Sequence, residues 1–326
     1  MSGKIQPMSV SLSLNEQAWN LADRMAGAAN ELRIVVHQTA KGARVLDCGI
    51  GVEGGLQAGL DLARICLAGQ AEVTIVPGSI AETICAHVQV ATDLPVTACM
   101  AAQYAGWQIS VGKFFAMGSG PMRAAYGKEE IFNKIPGREK VPVAVGTLET
   151  RKLPDDAVID YLSDRLSLPP EKLTLLAAPA ASQAGTIQVV ARSLETALHK
   201  LYELEFDLSQ VISGYGIAPL PPVAVDEMTA IGRTNDAILY GGRVVIWVRC
   251  EDDVLAEFGP KVPSSSSPDH GSPFAAIFER YKKDFYKIDP LLFSPAQIVF
   301  HNLQTGRSHA FGRIDTKVLL KSFFAV

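Results

Sequence analysis

Residues 172–200 read KLTLLAAPAASQAGTIQVVARSLETALHK, and this stretch shows the pattern that decides the fold class. It begins with a strand-like run that meets Pro179, and it continues into residues with helical periodicity. Strand-like and helical segments mix in the same way along the rest of the chain, without a repeat of fixed period. The sequence therefore predicts an α/β fold of the mixed α+β kind.

Further elements of both kinds are recognisable outside this stretch. Strand-like runs lie at 31–39, 43–50, 71–78 and 241–253, helical patterns lie at 55–69 and 154–168, and a hairpin is predicted within 296–315. Residues 215–226 and 259–274 are predicted to be loops, and the Ser- and Pro-rich composition of the second is typical of a flexible linker. A break near residue 185 predicts two lobes, 1–184 and 185–326, which could interleave.

The composition limits the classes of partner. The chain has 326 residues, of which 48% are hydrophobic and 20% are charged, so it is long enough to bury a sizeable core. The net charge is −4 and no basic stripe is visible, which argues against a nucleic-acid partner. No apolar run is long enough for a membrane span, and the N-terminus does not resemble a signal peptide, so we expect a cytosolic protein with no membrane partner.

Cysteine and histidine spacing gives no motif for a disulfide framework or a metal site. The five cysteines are an odd number and form no CxxC motif, so buried free thiols in a reducing compartment are expected. The six histidines are scattered, with neither HxH nor HExxH spacing. We therefore expect no metal and no bound cofactor.

One short motif favours a different function. Gly49, Gly51 and Gly54 spell GxGxxG between a predicted strand and a predicted helix, as in a dinucleotide-binding turn. The acidic residue that this fingerprint needs at the end of the next strand is missing, because Val76 and Pro77 stand there. A glycine turn that lets a helix approach a strand explains the motif equally well. An oxidoreductase that uses NAD or NADP remains an alternative.

The helical pattern of residues 186–203 places two kinds of side chain side by side. An apolar stripe is bordered by a polar row, and that row consists of Gln188, Arg192, Glu195 and His199. An exposed Arg–Glu pair at this spacing is ordinarily a helix ion pair that contributes about 0.2–0.5 kcal/mol. A row that borders the core stripe can instead line a site, and the spacing alone leaves both interpretations open.

Several long segments, in order, resemble the methenyltetrahydromethanopterin cyclohydrolase family. They include LDCGIGVEGGLQAG, KFFAMGSGPMRA, SQAGTIQVVARSLETALHKL, GRTNDAILYGG, VPSSSSPDHGSPF and DFYKIDPLLFSPAQIVFHNLQTG, and the similarity extends to the terminal KVLLKSFF. The resemblance implies a cytoplasmic, metal-independent hydrolase of one-carbon metabolism, whose subunits have two α/β lobes around a substrate cleft and form homotrimers. It also implies that Arg192 and Glu195 are the catalytic pair.

The resemblance also suggests residues that bind the pterin substrate. Lys113 and Arg123 flank the glycine-rich AMGSGP segment and could meet an acidic tail, or could be solvated charges. Backbone amides of that segment, at Ser119 and Gly120, could face a ligand.

Three further candidates lie in the C-terminal third of the chain. Asn235 and Asp236 could bond the amino-pyrimidone ring or cap a turn, and Phe293 could pack on the pterin or in the core. The serines at 264–267 could form a substrate loop or a mobile linker.

The reaction explains why a buried carboxylate is wanted. Water must add to a cationic, amidinium-like carbon between N5 and N10, and the adduct must then lose its bond to N10. One carboxylate, Glu195, can take a proton from water and return one to N10. Burial would raise its pKa, and Arg192 would offset that effect and hold the carboxylate through a planar fork. A non-catalytic carrier of a one-carbon cofactor is the second alternative.

Overall fold

The computed structural model describes residues 13–282 and 287–324. The strands are β1 (Val35–Gln38), β2 (Arg44–Asp47), β3 (Glu72–Val76), β4 (Ser79–Ile80), β5 (Thr83–Ile84), β6 (His87–Thr92), β7 (Trp107–Val111), β8 (Phe114–Ser119), β9 (Ala144–Glu149), β10 (Leu173–Ala178), β11 (Val211–Pro219), β12 (Arg243–Val248), β13 (Gln297–Asn302) and β14 (Ser308–Gly312). The α-helices are α1 (Leu14–Gly27), α2 (Ala29–Leu32), α3 (Leu56–Cys66), α4 (Met122–Tyr126), α5 (Asp156–Leu166), α6 (Gln183–Val190), α7 (Ser193–Glu203), α8 (Glu227–Gly241), α9 (Asp252–Phe258), α10 (Phe274–Arg280) and α11 (Thr316–Phe324). Helices and mixed sheets confirm the predicted α/β class.

The first large sheet, sheet A, has the order β1-β2-β10-β9-β8-β7. Its centre is parallel, because β10 pairs in parallel with both β2 and β9, while β1, β8 and β7 add antiparallel edges. Alternate residues of β9 face opposite layers. Val145 packs with α1 and α3, while Ala144 and Leu148 pack with α5. Both faces are therefore covered, as is usual around parallel strands.

The second large sheet, sheet B, has the order β14-β13-β12-β11-β6-β3 and is antiparallel except between β12 and β13. Helix α7 packs closely on β11 because two glycines leave room for it. A Cβ atom added at Gly214 would lie 2.7 Å from the Leu194 side chain, and one at Gly216 would lie 2.6 Å from the Ser193 hydroxyl. This close approach fixes the first turn of α7 against sheet B.

The two sheets interleave along the chain. Sheet B takes β3 and β6, within residues 72–92, and its other strands come from residue 211 onward, while the sheet A strands all lie before residue 179. The predicted division at 184 and 185 remains a prediction about lobes. Any lobe built on sheet B includes the 72–92 segment.

Most predicted strands and the hairpin at Thr305 and Gly306 are confirmed, but both predicted loops need correction. The 215–226 segment is partly strand, since β11 runs through Pro219 with alternating burial that its Gly and Pro content concealed. The 259–274 segment is not a free linker. The Ser264 side chain is buried and bonds the Leu239 carbonyl, and the Ser267 hydroxyl donates to Asp289 at 2.6 Å.

Candidate active site

The predicted helix over 186–203 is broken into α6 and α7 at Ala191 and Arg192. Both residues leave the helical conformation, with ψ near 0° and 5°, so Arg192 caps α7 instead of lying within a continuous helix. The apolar stripe is confirmed, because its members are fully buried: Ile187, Val190, Ala191, Leu194, Leu198 and Leu201. Despite the break, Gln188 and Arg192 of the polar row stay together, because each lies 3.8 Å from the Cys66 sulfur.

The Arg192 guanidinium is buried and reaches from α7 to sheet A. It donates to the backbone carbonyl of Gln103, at the end of a π-helix (Val96–Gln103), and to the Ser119 hydroxyl at 3.0 Å. The Cys66 thiol lies 3.8 Å from the same guanidinium and 3.4 Å from the Ser119 hydroxyl. Arg192 therefore joins β8, the π-helix and α3 at one point.

Glu195 lies in the first turn of α7 and is only 4% exposed. Burial raises its pKa to about 7, while the positive charges of Arg192 and Arg123 oppose that rise. The predicted planar fork is wrong. Among the described residues, no hydrogen bond or ion pair joins Arg192 to Glu195, because the guanidinium is occupied by Gln103 and Ser119. Arg192 acts on Glu195 through space.

Arg123 is fully buried and is held by internal partners. It pairs with Glu129 at 2.6 Å and donates to the backbone carbonyl of Met100 at 2.9 Å. With these bonds made, its guanidinium is a fixed charge near Glu195 and is not presented at the surface for an acidic tail. Lys113 is exposed in the turn between β7 and β8. That turn is at the far end of β8 from Ser119, about 16 Å away at the usual rise of a strand.

A column of stacked rings adjoins Glu195, and no pattern in the sequence predicts this stacking. Tyr104 stacks on His199 with ring centroids 4.7 Å apart, and the Arg123 guanidinium lies 4.8 Å from the Tyr104 ring. His199 follows Glu195 by four residues, so the two share a face of α7. Burial, aided by the charge of Arg123, lowers the His199 pKa to about 4, so the imidazole is neutral near pH 7. No short motif in the sequence marks Tyr104.

The buried polar side chains around Arg192 come from segments that are far apart in the sequence. The Gln103 side chain donates to the Ala191 carbonyl at 3.1 Å, and the Gln188 amide lies 3.8 Å from the Cys66 sulfur. Gly120 has φ +86°, and its amide donates to the Ala102 carbonyl at 2.9 Å. The Gly120 amide is therefore used inside the protein and is not free for a ligand.

The structure places the remaining candidates away from the Arg192 contacts. The Asn235 amide donates to the Ile231 carbonyl at 2.8 Å within α8. Asp236 is buried and accepts from the Phe274 amide and the Ser322 hydroxyl, so it ties α8 to α10 and α11. Phe293 packs edge-on against the ring of Phe274 with centroids 5.8 Å apart. These contacts place Asn235, Asp236 and Phe293 in the C-terminal packing.

The serines at 264–267 are connected to α7 by a buried lysine. Lys200 is 1% exposed, and its ammonium group donates to the Ser266 hydroxyl at 3.2 Å and to the Leu291 carbonyl. Burial lowers the Lys200 pKa to about 8. The helix that carries Glu195 is thereby fixed to the segments that contain Ser266 and Leu291.

The GxGxxG turn already has an internal anion. The Asp47 carboxylate accepts hydrogen bonds from the amides of Gly49, Ile50 and Gly51 at 3.0, 2.7 and 2.8 Å. A dinucleotide would need such amides for its pyrophosphate. The turn therefore fits the other interpretation, in which glycine lets the backbone pack closely. A Cβ atom added at Gly49 would lie 2.6 Å from the Ser182 side chain.

Three further features of the described residues concern the helices, the metal-binding side chains and the cysteines. Over residues 13–282 and 287–324, no helix is long and apolar enough to cross a bilayer. Across the same residues, no group of three or more His, Cys, Asp or Glu side chains is arranged to hold a metal ion. All five cysteines are buried free thiols, as the sequence predicts.

Comparison with known proteins agrees with the resemblance seen in the motifs. Residues 13–323 match the family model described as Cyclohydrolase (MCH). The chain belongs to this family. It is 49% identical to the methenyltetrahydromethanopterin cyclohydrolase of Rhodopirellula baltica over 87% of each chain, and 41% identical to that of Methylobacillus flagellatus over 95% of each. The namesake protein of Methanosarcina barkeri is 39% identical over 96% of this chain and 98% of its own.

The residues of the buried cluster around Arg192 all fall within the range that matches the family model. Arg192 and Glu195 lie within the matched range, together with Ser119, Arg123 and the stacked Tyr104 and His199. The partners of Arg192 come from β8, the π-helix and α3, and the Arg–Glu motif in the sequence does not reveal them. The arrangement places the Glu195 carboxylate near the fixed positive charges of Arg192 and Arg123.

Proposed function

We propose that this chain hydrolyses the methenyl bridge of 5,10-methenyltetrahydromethanopterin to the N5-formyl product, reversibly, with Glu195 as the acid and base. The observation that carries the proposal is the Glu195 carboxylate, which is buried in the first turn of α7 with a pKa of about 7. The relatives that bear the name of this activity cover nearly the whole chain. Their names support the substrate class.

Glu195 takes part in two proton transfers of the proposed reaction. A water molecule adds to the methenyl carbon while Glu195 takes one of its protons, which leaves a neutral tetrahedral adduct. The bond between that carbon and N10 then breaks as Glu195 returns the proton to N10, while the hydroxyl oxygen of the adduct becomes the formyl carbonyl and releases its own proton to solvent. The substrate carbon is already cationic, so the addition needs no further electrophilic activation. Glu195 is regenerated as a carboxylate.

A pKa near 7 suits a group that must accept and then donate a proton. General acid–base catalysis is most effective when the pKa of the catalytic group lies near the working pH, and it typically contributes about 10²–10⁴-fold. Burial alone would push the Glu195 pKa higher, and the charges of Arg192 and Arg123 hold it down. The helix N-terminus of α7 also favours the ionised carboxylate. We propose that Arg192 tunes Glu195 in this way.

Two alternative functions make different demands on the protein. A nicotinamide-dependent oxidoreductase would use the GxGxxG turn, whose amides are bonded to Asp47. A non-catalytic carrier would bind the pterin and leave its methenyl absorbance band unchanged. The buried carboxylate beside two guanidinium groups favours hydrolysis over both.

The deciding experiment mixes the purified protein with methenyltetrahydromethanopterin and follows the methenyl absorbance. We expect catalytic loss of the band at a rate proportional to enzyme concentration. Binding without loss of the band would favour the carrier, and saturable binding of NAD or NADP would favour the oxidoreductase. The same assay after exhaustive chelation tests the proposed metal independence, which predicts an unchanged rate. Activity that returns only with added zinc would contradict it.

We further propose, from the family resemblance, that the subunits form a homotrimer and work in the cytoplasm without a bound cofactor. A trimer mass by light scattering at micromolar concentration is the expected result. A monomer mass under the assay conditions would contradict it.

A further inference from the structure

A second carboxylate, that of Glu149, lies near Arg192, and no motif in the sequence marks it. Glu149 is the last residue of β9, at the carboxyl end of the parallel strands β2, β10 and β9. In α/β sheets, ligands bind outside the carboxyl ends of such strands. Glu149 therefore lies at the edge of sheet A where a ligand is expected on general grounds.

The register of sheet A places Glu149 on the same face as the Arg192 contact. Thr147 pairs with Ser119, and Glu149 pairs with Met117 in the same antiparallel ladder. Residues two apart in a strand point to the same side, so Glu149 faces the side on which the Ser119 hydroxyl receives Arg192 at 3.0 Å. The Glu149 carboxylate and the guanidinium of Arg192 thus share one region between sheet A and α7.

In the part of the chain that the structure describes, several polar groups of this region have no hydrogen-bond partner. Among the residues that the structure describes, no hydrogen bond or ion pair reaches the Glu149 carboxylate. The Thr147 hydroxyl, two residues earlier on the same face, is 3% exposed and also lacks a hydrogen bond, as does the side-chain carbonyl of fully buried Gln103. Buried polar groups in native proteins are nearly always bonded to protein, water or ligand. Polar atoms from another molecule would complete this set.

The charges around Glu149 favour a ligand that donates hydrogen bonds. Burial raises the Glu149 pKa, the positive charge of Arg192 opposes the rise, and the negative charge of Glu227 adds to it. Glu227 itself is occupied, because its carboxylate accepts from the amides of Ala180 and Ala181 at 2.9 and 3.3 Å. Two N–H groups of one ligand, each donating to one Glu149 oxygen, would form a bidentate pair and stabilise the ionised carboxylate.

We propose that Glu149 binds the amino-pyrimidone edge of the pterin and is a specificity-determining residue of the reaction proposed above. This edge offers the ring N3–H and the exocyclic 2-amino group, two parallel donors that match the two oxygens of one carboxylate. The pterin then lies with this edge at β9 and its methenyl carbon toward Glu195, with Arg192 near both carboxylates. The inference rests on the proposed function for its substrate.

Asn235 and Asp236, the ring-binding candidates from the sequence, are less suitable for this role. The Asn235 amide is bonded within α8, and both Asp236 oxygens are occupied by Phe274 and Ser322. Among the residues that the structure describes, neither oxygen of Glu149 is bonded in this way, and Arg192 is a neighbouring charge.

The first test measures ligand preference without turnover. Equilibrium dialysis compares pterin-6-carboxylate with lumazine-6-carboxylate, which has a carbonyl oxygen in place of the 2-amino group. The parent protein should bind the pterin at least about 10-fold more tightly, because the lumazine oxygen faces a carboxylate and cannot donate to it. Glu149→Gln should bring the two affinities within about 3-fold, since its amide can donate to that oxygen. Glu82→Gln, at an exposed carboxylate, should keep the parent preference.

Two outcomes of the dialysis would overturn the proposal: a parent protein that does not discriminate, or a Glu149→Gln protein that keeps the full preference. If the Gln variant does not fold by circular dichroism, Glu149→Asp replaces it. The shorter carboxylate should then weaken pterin binding while retaining the preference for pterin.

The second test separates Glu149 from Glu195 by kinetics. Glu149→Gln should raise KM by about 10- to 100-fold with kcat within a few-fold of the parent, because the lost contact is present in both ground and transition states. Glu195→Gln should instead lower kcat. A Glu149 variant that lowers kcat alone would contradict the binding role. If the parent itself shows no turnover, the proposed function fails, and the dialysis still decides whether Glu149 recognises a pterin.

Discussion

At the scale of single residues, the carboxylate of Glu195 combines burial with two nearby guanidinium groups. Replacing it by Gln keeps the shape and removes the site that accepts a proton. We expect Glu195→Gln to lower kcat by about 10²-fold or more while substrate binding remains measurable. Steady-state kinetics with methenyltetrahydromethanopterin is the measurement, and Glu82→Gln is the matched control at an exposed carboxylate.

Near-parental turnover of Glu195→Gln would move the base elsewhere. His199 is a poor substitute, because its pKa of about 4 makes it a weak base at neutral pH. Asp236 is bonded to Phe274 and Ser322 and lies in the C-terminal packing. The structure therefore leaves Glu195 as the strongest candidate among these three.

The pH profile should reveal the coupling between Arg192 and Glu195. The ionised carboxylate is the base, so kcat/KM should fall as the pH drops through the Glu195 pKa of about 7. Arg192 lowers that pKa, so Arg192→Leu should raise it, and the acidic limb should move upward by about 1–3 pH units. Arg192→Lys keeps the positive charge and should move the limb less.

The control for this profile is Arg313→Leu, which removes an exposed arginine and should leave the limb in place. An Arg192→Leu protein that is folded by circular dichroism and keeps the parental limb would show that Arg192 does not tune Glu195. The arginine would then be a positioning residue that fixes α7 to β8 through Ser119.

At the scale of secondary-structure elements, the 186–203 segment shows what periodicity can and cannot reveal. The apolar stripe predicted the buried face correctly, because burial of that face depends on the 3.6-residue period. The break at Ala191 and Arg192 was not predictable, since the segment contains neither Pro nor Gly at that point. It is supported by tertiary contacts, among them the bond from the Gln103 side chain to the Ala191 carbonyl.

The Asp47 carboxylate is expected to stabilise the turn after β2. Asp47 is 1% exposed and binds three successive backbone amides in the GxGxxG turn. Asp47→Asn replaces an anionic acceptor by a neutral amide and weakens hydrogen bonds that involve a charged group. We expect Tm to fall by about 3–8 °C in a thermal melt.

Asp253→Asn, at an exposed carboxylate, is the control and should change Tm by less than about 1 °C. An unchanged Tm in Asp47→Asn would mean that the carboxylate does not hold the turn. The glycines would then have to be explained by their backbone conformation alone, of which Gly54 at φ +61° is the clearest case.

At the scale of the whole molecule, the sequence predicted the fold class but could not assign strands to sheets. The pairing of β2 with β10 joins Arg44 to Thr174, and sheet B joins β6 to β11 across more than 100 residues. Local patterns carry no information about such distant partners. The same limit applies to the site, because Arg192 and Glu195 were accessible from motifs, while Gln103, Tyr104 and Glu149 reach the site only through the fold.

In the C-terminal packing, ionisation of Asp236 should make the stability of the folded protein depend on pH. Burial raises the folded-state pKa of Asp236 from its usual 3.8 to about 7. For an acid with a raised folded pKa, the favourable contribution to stability is complete below the unfolded pKa and is lost as the pH rises through the folded pKa. The parent should therefore lose stability from this group between about pH 4 and pH 7.

Asp236→Asn removes that titration while keeping an oxygen to accept the Phe274 amide. The variant should melt near the parent at pH 4 and about 2–6 °C above it at pH 8, because only the parent must then bury a charge. Thermal melts of both proteins from pH 4 to 8 test this, with Asp253→Asn as a control whose difference from the parent should not grow with pH. A constant difference for Asp236→Asn would mean that Asp236 is ionised in the folded protein throughout this range. Its bonds to the Phe274 amide and the Ser322 hydroxyl would then outweigh burial in setting its pKa.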